Sequence, residues 1–135
     1  MAKQEAWSTP SDVLSRRLRE MAGVHALEAI SGFAGPRPAL GWRRLFVLDP
    51  IAFAIPTRIL AHTQDGLELW SANTGAIPNA KLSTHSLSHF RVLDLDLDVK
   101  ISKPQSFDEI AIEGEQLWVS STYRDIINQW THLKT

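Results

Sequence analysis

The sequence predicts an α+β fold: an antiparallel sheet of five to six strands with an N-terminal and a C-terminal helix packed on one face, a two-layer sandwich. Three observations support this prediction. Apolar residues recur at helical spacing near both ends of the 135-residue chain. Residues 92–101 alternate between apolar and charged side chains, as in a strand. Turn signals separate several short β-type runs. The length fits one domain over residues 1–135, with residues 1–8 as a candidate disordered segment.

The N-terminal helix is predicted to begin with Thr9 as its N-cap and Pro10 at the first helical position. Its apolar face consists of Leu14, Leu18, Met21 and Ala22. Gly23 is a candidate end of the helix. Apolar residues nevertheless resume at steps of three, at Val24, Leu27 and Ile30. The sequence therefore leaves open whether the helix ends at Gly23 or runs on to Ser31.

The segment after this helix is predicted to be a loop at 33–41, rich in glycine and proline, followed by two short strands. The apolar runs at 45–48 and 51–55 are separated by Asp49-Pro50, and proline cannot donate to a ladder. A turn or bulge is therefore expected between them. The second run is apolar on both faces, which predicts burial on both sides or a subunit interface.

An Asp-Gly turn predicts a hairpin between residues 59–63 and 67–72. A three-residue loop ending at Gly66 would place His62 opposite Glu68, either as an exposed cross-strand pair or as a base held by a carboxylate. Residues 73–89 are polar and are predicted to form a long loop. His85 and His89 in this loop lack a third ligand nearby in the sequence, so no metal site is predicted.

Residues 92–101, VLDLDLDVKI, are predicted to form the central or next-to-central strand of the sheet. The leucines of one parity are expected to face the core. The charged residues of the other parity are expected to face water, namely Asp94, Asp96, Asp98 and Lys100.

The C-terminal part is predicted to contain a second hairpin and a helix. A two-residue Gly114-Glu115 turn would pair Ile112 with Leu117. The helix would follow Thr122 as its N-cap. Its apolar face would consist of Tyr123, Ile126, Ile127 and Trp130, with Trp130 buried.

Composition restricts the function classes. The net charge is −1, which gives no basic field for nucleic acid or for an anionic membrane. Residues 1–60 are basic overall and residues 61–135 acidic, a polarity that favours self-association and predicts a homodimer. The absence of cysteine excludes disulfides and thiolate chemistry. No secretory signal or membrane-spanning run is found, so a soluble cytoplasmic protein without a cofactor is expected.

Two groups of residues are candidate partner-binding sites. The first is the tryptophan-arginine edge formed by Trp42, Arg43 and Arg44, a composition enriched at binding surfaces. The second is the acidic strand face with Asp94, Asp96 and Asp98. Aspartate forms strands poorly and like charges repel, so a basic partner surface would stabilise the arrangement. The leading interpretation is a protein-binding module of chaperone, adaptor or immunity type.

An alternative interpretation follows from Asp96, Asp98 and Lys100 on the same strand face. The trio Asp98-Val99-Lys100 resembles the D-x-K half of the PD-(D/E)-x-K nuclease pattern. The resemblance implies Mg²⁺ held by carboxylates, a lysine that positions the attacking water, and phosphodiester hydrolysis. The family takes its first aspartate from a neighbouring strand, whereas here the acids lie on one strand. A viral or phage structural subunit is a further alternative.

Overall fold

The computed structural model describes residues 9–34, 57–73, 76–100 and 104–133, with the backbone alone at 96–100 and 104–105. Several predictions lie outside these residues. They are the segment at 1–8, the loop beyond Ala34, the apolar runs at 45–48 and 51–55, and Trp42-Arg43-Arg44.

Seven antiparallel strands form one sheet in the described part of the chain. They are β1 (Glu28–Ala34), β2 (Thr57–Thr63), β3 (Gly66–Asn73), β4 (Ile77–His85), β5 (Phe90–Lys100), β6 (Pro104–Ile112) and β7 (Glu115–Ser120). Their order is β4-β3-β2-β1-β7-β6-β5. Helix α1 (Ser11–Ala22) precedes the sheet and helix α2 (Arg124–Leu133) follows it. The α+β class and both terminal helices are confirmed, whereas the sheet has more strands than the five to six predicted.

The sheet is curled, because its two edge strands are consecutive in the chain. β4 ends at His85 and β5 begins at Phe90. Five Cα steps reach at most about 18 Å, whereas the edges of a flat seven-stranded sheet would lie about 29 Å apart. The ring centroid of Trp130 lies 5.9 Å from that of His62 on β2 and 5.5 Å from that of Phe90 on β5. The sheet thus bends around α2 instead of forming one layer of an open sandwich.

Helix α1 ends at Gly23, so the alternative of a helix running on to Ser31 is wrong. Gly23 adopts a left-handed conformation with φ 71°, and its N–H and that of Val24 bond to the last helical carbonyls. Residues 28–34 then form β1. At the other end Pro10, not Thr9, occupies the N-cap position. The spacing of three between apolar residues after Gly23 does not reflect a helix. It arises because β1 is buried on both faces and therefore carries apolar residues of both parities.

Both predicted hairpins are present, but their registers differ from the prediction. The turn between β2 and β3 has two residues instead of three, so His62 lies opposite Leu67 and not opposite Glu68. The turn between β6 and β7 falls at 113–114 instead of 114–115. Ile110 therefore pairs with Leu117. The register of this second hairpin differs from the prediction by two residues. An even shift leaves each side chain on the same face of the sheet, so Ile110 and Leu117 are both buried as expected.

The prediction of a loop at 73–89 is wrong, because residues 77–85 form β4. β4 is an edge strand with most of its side chains exposed, which explains its polar sequence. Two register shifts interrupt its pairing with β3, so its alternation is broken as well.

The prediction of a central or next-to-central strand at residues 92–101 is wrong in two respects, its place in the sheet and the parity that faces the core. The strand itself is confirmed at 90–100, but β5 is an edge strand. Leu93 and Leu95 are each 42% exposed, whereas Phe90 is buried and Asp94 is half-buried. The pairing with β6 shifts between Val92 and Asp94 and again between Asp94 and Leu97. From Phe90 to Leu95 the even-numbered residues lie inward and the odd-numbered residues outward, which is the reverse of the predicted parity.

The core contains residues from both helices and from six of the seven described strands, all but β4. Its largest fully buried side chains include Leu14, Leu18, Ile30, Leu60, Leu69, Phe90 and Trp130. A second aromatic cluster lies on β1, β6 and β7, where the Phe33 ring is 5.4 Å from Phe107 and 6.5 Å from Trp118. The predicted burial of Trp130 is confirmed. Neither described helix has the length and apolarity required to cross a membrane.

Candidate functional site

The β5 edge, defined as residues Phe90–Lys100, carries most of the predicted site residues that the structure describes. Asp94, Asp96, Asp98 and Lys100 all lie on this strand. Asp94 is half-buried, and its Oδ1 accepts a hydrogen bond from the Leu95 N–H at 2.9 Å. For the other three the backbone register alone is described, with Asp98 opposite Ser106 and Lys100 opposite Pro104. The partner-binding role of these acids stays a prediction.

The apolar side chains of the β5 edge distinguish it from an ordinary acidic strand. β6 is the only described strand that pairs with β5. Leu93 and Leu95 are exposed on this edge, and the pairing with β6 shifts register twice along it. Bulges and acidic residues are also the features by which natural sheets limit edge-to-edge self-association. The β5 edge therefore combines exposed apolar side chains with features that oppose pairing of this edge with the edges of other sheets.

The nuclease alternative receives no metal site from the described residues. No group of three histidine, aspartate or glutamate side chains in this part of the chain is placed to hold a metal ion. The side chains of Asp96, Asp98 and Lys100 lie outside the described set. The two predicted functions therefore both stay open at this strand.

A carboxylate on β1, that of Glu28, forms a polar cluster between the sheet and α2. Oε1 of Glu28 accepts hydrogen bonds from His62 Nδ1 at 2.9 Å and from Trp130 Nε1 at 2.8 Å. Oε2 accepts from Gln129 Nε2 at 3.2 Å. A carboxylate acts only as an acceptor, so Nδ1 of His62 carries the proton of this hydrogen bond. The predicted pairing of His62 with a glutamate occurs, but with Glu28.

A second histidine-carboxylate cluster joins β4, the 3-10 turn before β5 and the turn between β6 and β7. Glu113 Oε1 lies 3.1 Å from His85 Nδ1 and 3.3 Å from His89 Nδ1. Ser83 Oγ lies 2.7 Å from the other nitrogen of His85. His85 is the last residue of the edge strand β4, whereas Glu113 follows β6, which is next to the opposite edge of the sheet. The contact thus links the end of β4 to the turn between β6 and β7 across the curled sheet.

Asp108 on β6 anchors the start of α2. It is fully buried and accepts two hydrogen bonds from Arg124, at 2.9 Å from Nε and 2.8 Å from the terminal nitrogen, and a third from Ser121. A bidentate arginine supplies the fixed geometry that a buried carboxylate requires. This cluster is structural, since it positions the helix that the sheet encloses.

Sequence reasoning missed the Glu28 and Glu113 clusters, because their members are far apart in the chain. His62 and Glu28 are opposite residues in the pairing of β2 with β1. That pairing was hidden because residues 28–30 were compatible with helix. A strand assignment for residues 28–34 would have revealed the cluster.

Comparison of the chain with known protein families, with curated proteins and with solved structures finds no match.

Proposed function

We propose that this chain is a small protein-binding module that takes a basic, partly apolar segment of another protein along the β5 edge. The observation that carries the proposal is the outward position of Leu93 and Leu95 on an edge strand. A chaperone, an adaptor and an immunity protein all require such a surface. The predicted edge at Trp42, Arg43 and Arg44 would be a second contact, outside the described residues.

The two leucines supply the apolar part of the contact. Full burial of a leucine side chain contributes about 1.5–3 kcal/mol. Covering the remaining 42% exposure of each would therefore contribute about 1 kcal/mol per leucine. This free energy would help to hold a partner, but it is too small to determine which partner binds.

The charge of the strand selects the partner. β5 carries aspartates at 94, 96 and 98, so lysine or arginine on the bound segment would be favoured. A second copy of β5 in antiparallel pairing would bring the two acidic segments together, which is unfavourable for like charges. The proposal therefore favours a different chain as the partner, and the predicted homodimer would need another surface.

A defined peptide pair tests the proposal. The probe is an end-blocked peptide of alternating lysine and leucine, and the control is the same peptide with glutamate in place of lysine. Fluorescence anisotropy is expected to show binding of the basic peptide that weakens with salt. The double variant Leu93→Ser/Leu95→Ser is expected to weaken binding by about tenfold or more, from about 2 kcal/mol of lost burial.

A matched variant controls for a general loss of exposed leucine. Leu133→Ser changes a leucine that is 53% exposed at the end of α2, and it should leave binding unchanged. Equal effects of the two changes, or equal binding of both peptides, would contradict the proposal. DNA or RNA hydrolysis in Mg²⁺ that is abolished by chelator and by Lys100→Ala would replace it with the nuclease function. Assembly into large regular particles on sizing would favour the structural-subunit alternative.

A further inference from the structure

A groove of about 480 Å³ lies along α1, separate from the β5 edge. Its walls come from one face of α1, the start of β1 and the side of α2, including Leu27 and Ile126. This volume falls within the range of small-molecule sites. Leu27 is 60% exposed although it is apolar and lies in this concave surface. The groove therefore offers an uncovered apolar wall beside a helix.

The α1 wall of the groove is acidic at one end and basic at the other. Asp12 lies in the first turn of α1, and Arg16 and Arg19 follow on the same side. The helical rise places the two arginines about 6 Å and about 10 Å beyond Asp12 along the axis. Within the described residues, none of the three side chains takes part in a hydrogen bond or an ion pair. Both charges are thus available to a ligand.

Two further polar residues line the groove. Ser15 lines the groove, and its Oγ is buried without a hydrogen-bond partner in the described structure. Glu28 also lines the acidic end, but its carboxylate already accepts bonds from His62, Trp130 and Gln129. Asp12 is therefore the acid that would contact a cation.

We infer that this groove binds a short apolar peptide with free termini. The ammonium group contacts Asp12, and the carboxylate contacts Arg16 and Arg19. The apolar side chains lie against Leu27 and Ile126. Two to three extended residues span about 7–10 Å, which matches the separation of the charges on the helix.

L-leucyl-L-leucine is the probe, together with its N-acetylated and its C-amidated forms. Isothermal titration calorimetry on the full chain should show binding of the free dipeptide. Acetylation or amidation should each weaken binding about two- to fivefold, as expected for a solvent-accessible ion pair. The effect of acetylation should disappear in Asp12→Asn, and that of amidation should disappear in Arg16→Gln/Arg19→Gln. Lys81→Gln removes an exposed cation on β4, outside both proposed binding surfaces, and serves as the matched control.

Amide chemical shifts of the wild-type chain give an independent readout, because this measurement needs no substitution. Perturbations that cluster at 11–19, 27–28 and 126 on adding the dipeptide support the site. Perturbations centred on β5 would overturn it. The inference also fails if the free dipeptide produces no heat at millimolar concentration. It fails if blocking a terminus weakens binding equally in the wild-type chain and in the matching variant.

Discussion

The ionisation of Tyr123 is coupled to folding and gives a direct test of the packing at the start of α2. Tyr123 is buried, and its hydroxyl donates to the carbonyl oxygen of Thr9. The one phenolic hydrogen is used in that bond, so the Ser31 hydroxyl, at 3.0 Å, donates to the phenol oxygen. Burial raises the pKa of Tyr123 from 10.0 to about 12, and the hydrogen bond from Ser31 opposes part of that rise.

The sign of the effect follows from proton linkage. The folded state holds the phenolic proton more tightly than the unfolded state, so the contribution to stability is fully present below pH 10. It decreases as the pH rises from about 10 to about 12. A shift of about two pKa units corresponds to about 3 kcal/mol, lost over this range. Tyr123→Phe should lack this component and should also be destabilised at neutral pH by about 1–2 kcal/mol, from the lost hydroxyl bonds.

The chain contains one tyrosine, so phenolate absorbance in the near ultraviolet reports on Tyr123 alone. We expect the absorbance midpoint near pH 12, or a cooperative rise that coincides with unfolding followed by circular dichroism. Urea denaturation at several pH values, for the wild-type chain and Tyr123→Phe, separates the tyrosine from the lysines that titrate in the same range. A reversible midpoint near pH 10 in the folded protein would refute the burial of this hydroxyl and its contact with Thr9.

Three further changes test the remaining structure by urea denaturation at neutral pH. Trp130→Phe removes a 2.8 Å hydrogen bond to Glu28 and should cost about 2–3 kcal/mol, and no loss would contradict the role of that carboxylate. Asp108→Asn leaves a partly buried arginine without its charge partner and should cost about 2–3 kcal/mol, whereas Asp125→Asn on the exposed side should cost little. Gly32→Ala would place a Cβ 2.3 Å from a backbone oxygen of β7, and we expect a loss of about 3 kcal/mol.

The sequence predicted elements whose patterns are local. Helix α1, helix α2 and both tight hairpins each depend on residues that are close in the chain, and all four are present. The burial of Trp130 followed from helical periodicity alone. These successes include the α+β class, because it depends on which elements exist and not on how they pair.

The failures have identifiable physical causes. β5 alternates in sequence, but alternation alone does not determine which parity is buried. Phe90 and Val92 face inward, so Leu93 and Leu95 of the other parity are exposed. β4 is polar because it is an edge strand, so it was indistinguishable from a loop. The contact of His62 with Glu28 required knowledge of the β1–β2 pairing. Of the candidate site, the sequence predicted the strand and its acids, but not the exposure of Leu93 and Leu95.

The position of β1 in the middle of the strand order has a consequence for the order of assembly. β2–β3–β4 and β5–β6–β7 are two meanders of strands adjacent in sequence, and each can pair as soon as it leaves the ribosome. β1 is synthesised before both, yet its second neighbour is β7, and Thr9 just before α1 bonds to Tyr123 near the other terminus. β1 is therefore the first strand of this sheet in the chain but among the last to be fully paired, and loss of β7 would remove a strand from the middle of the sheet and not from its border.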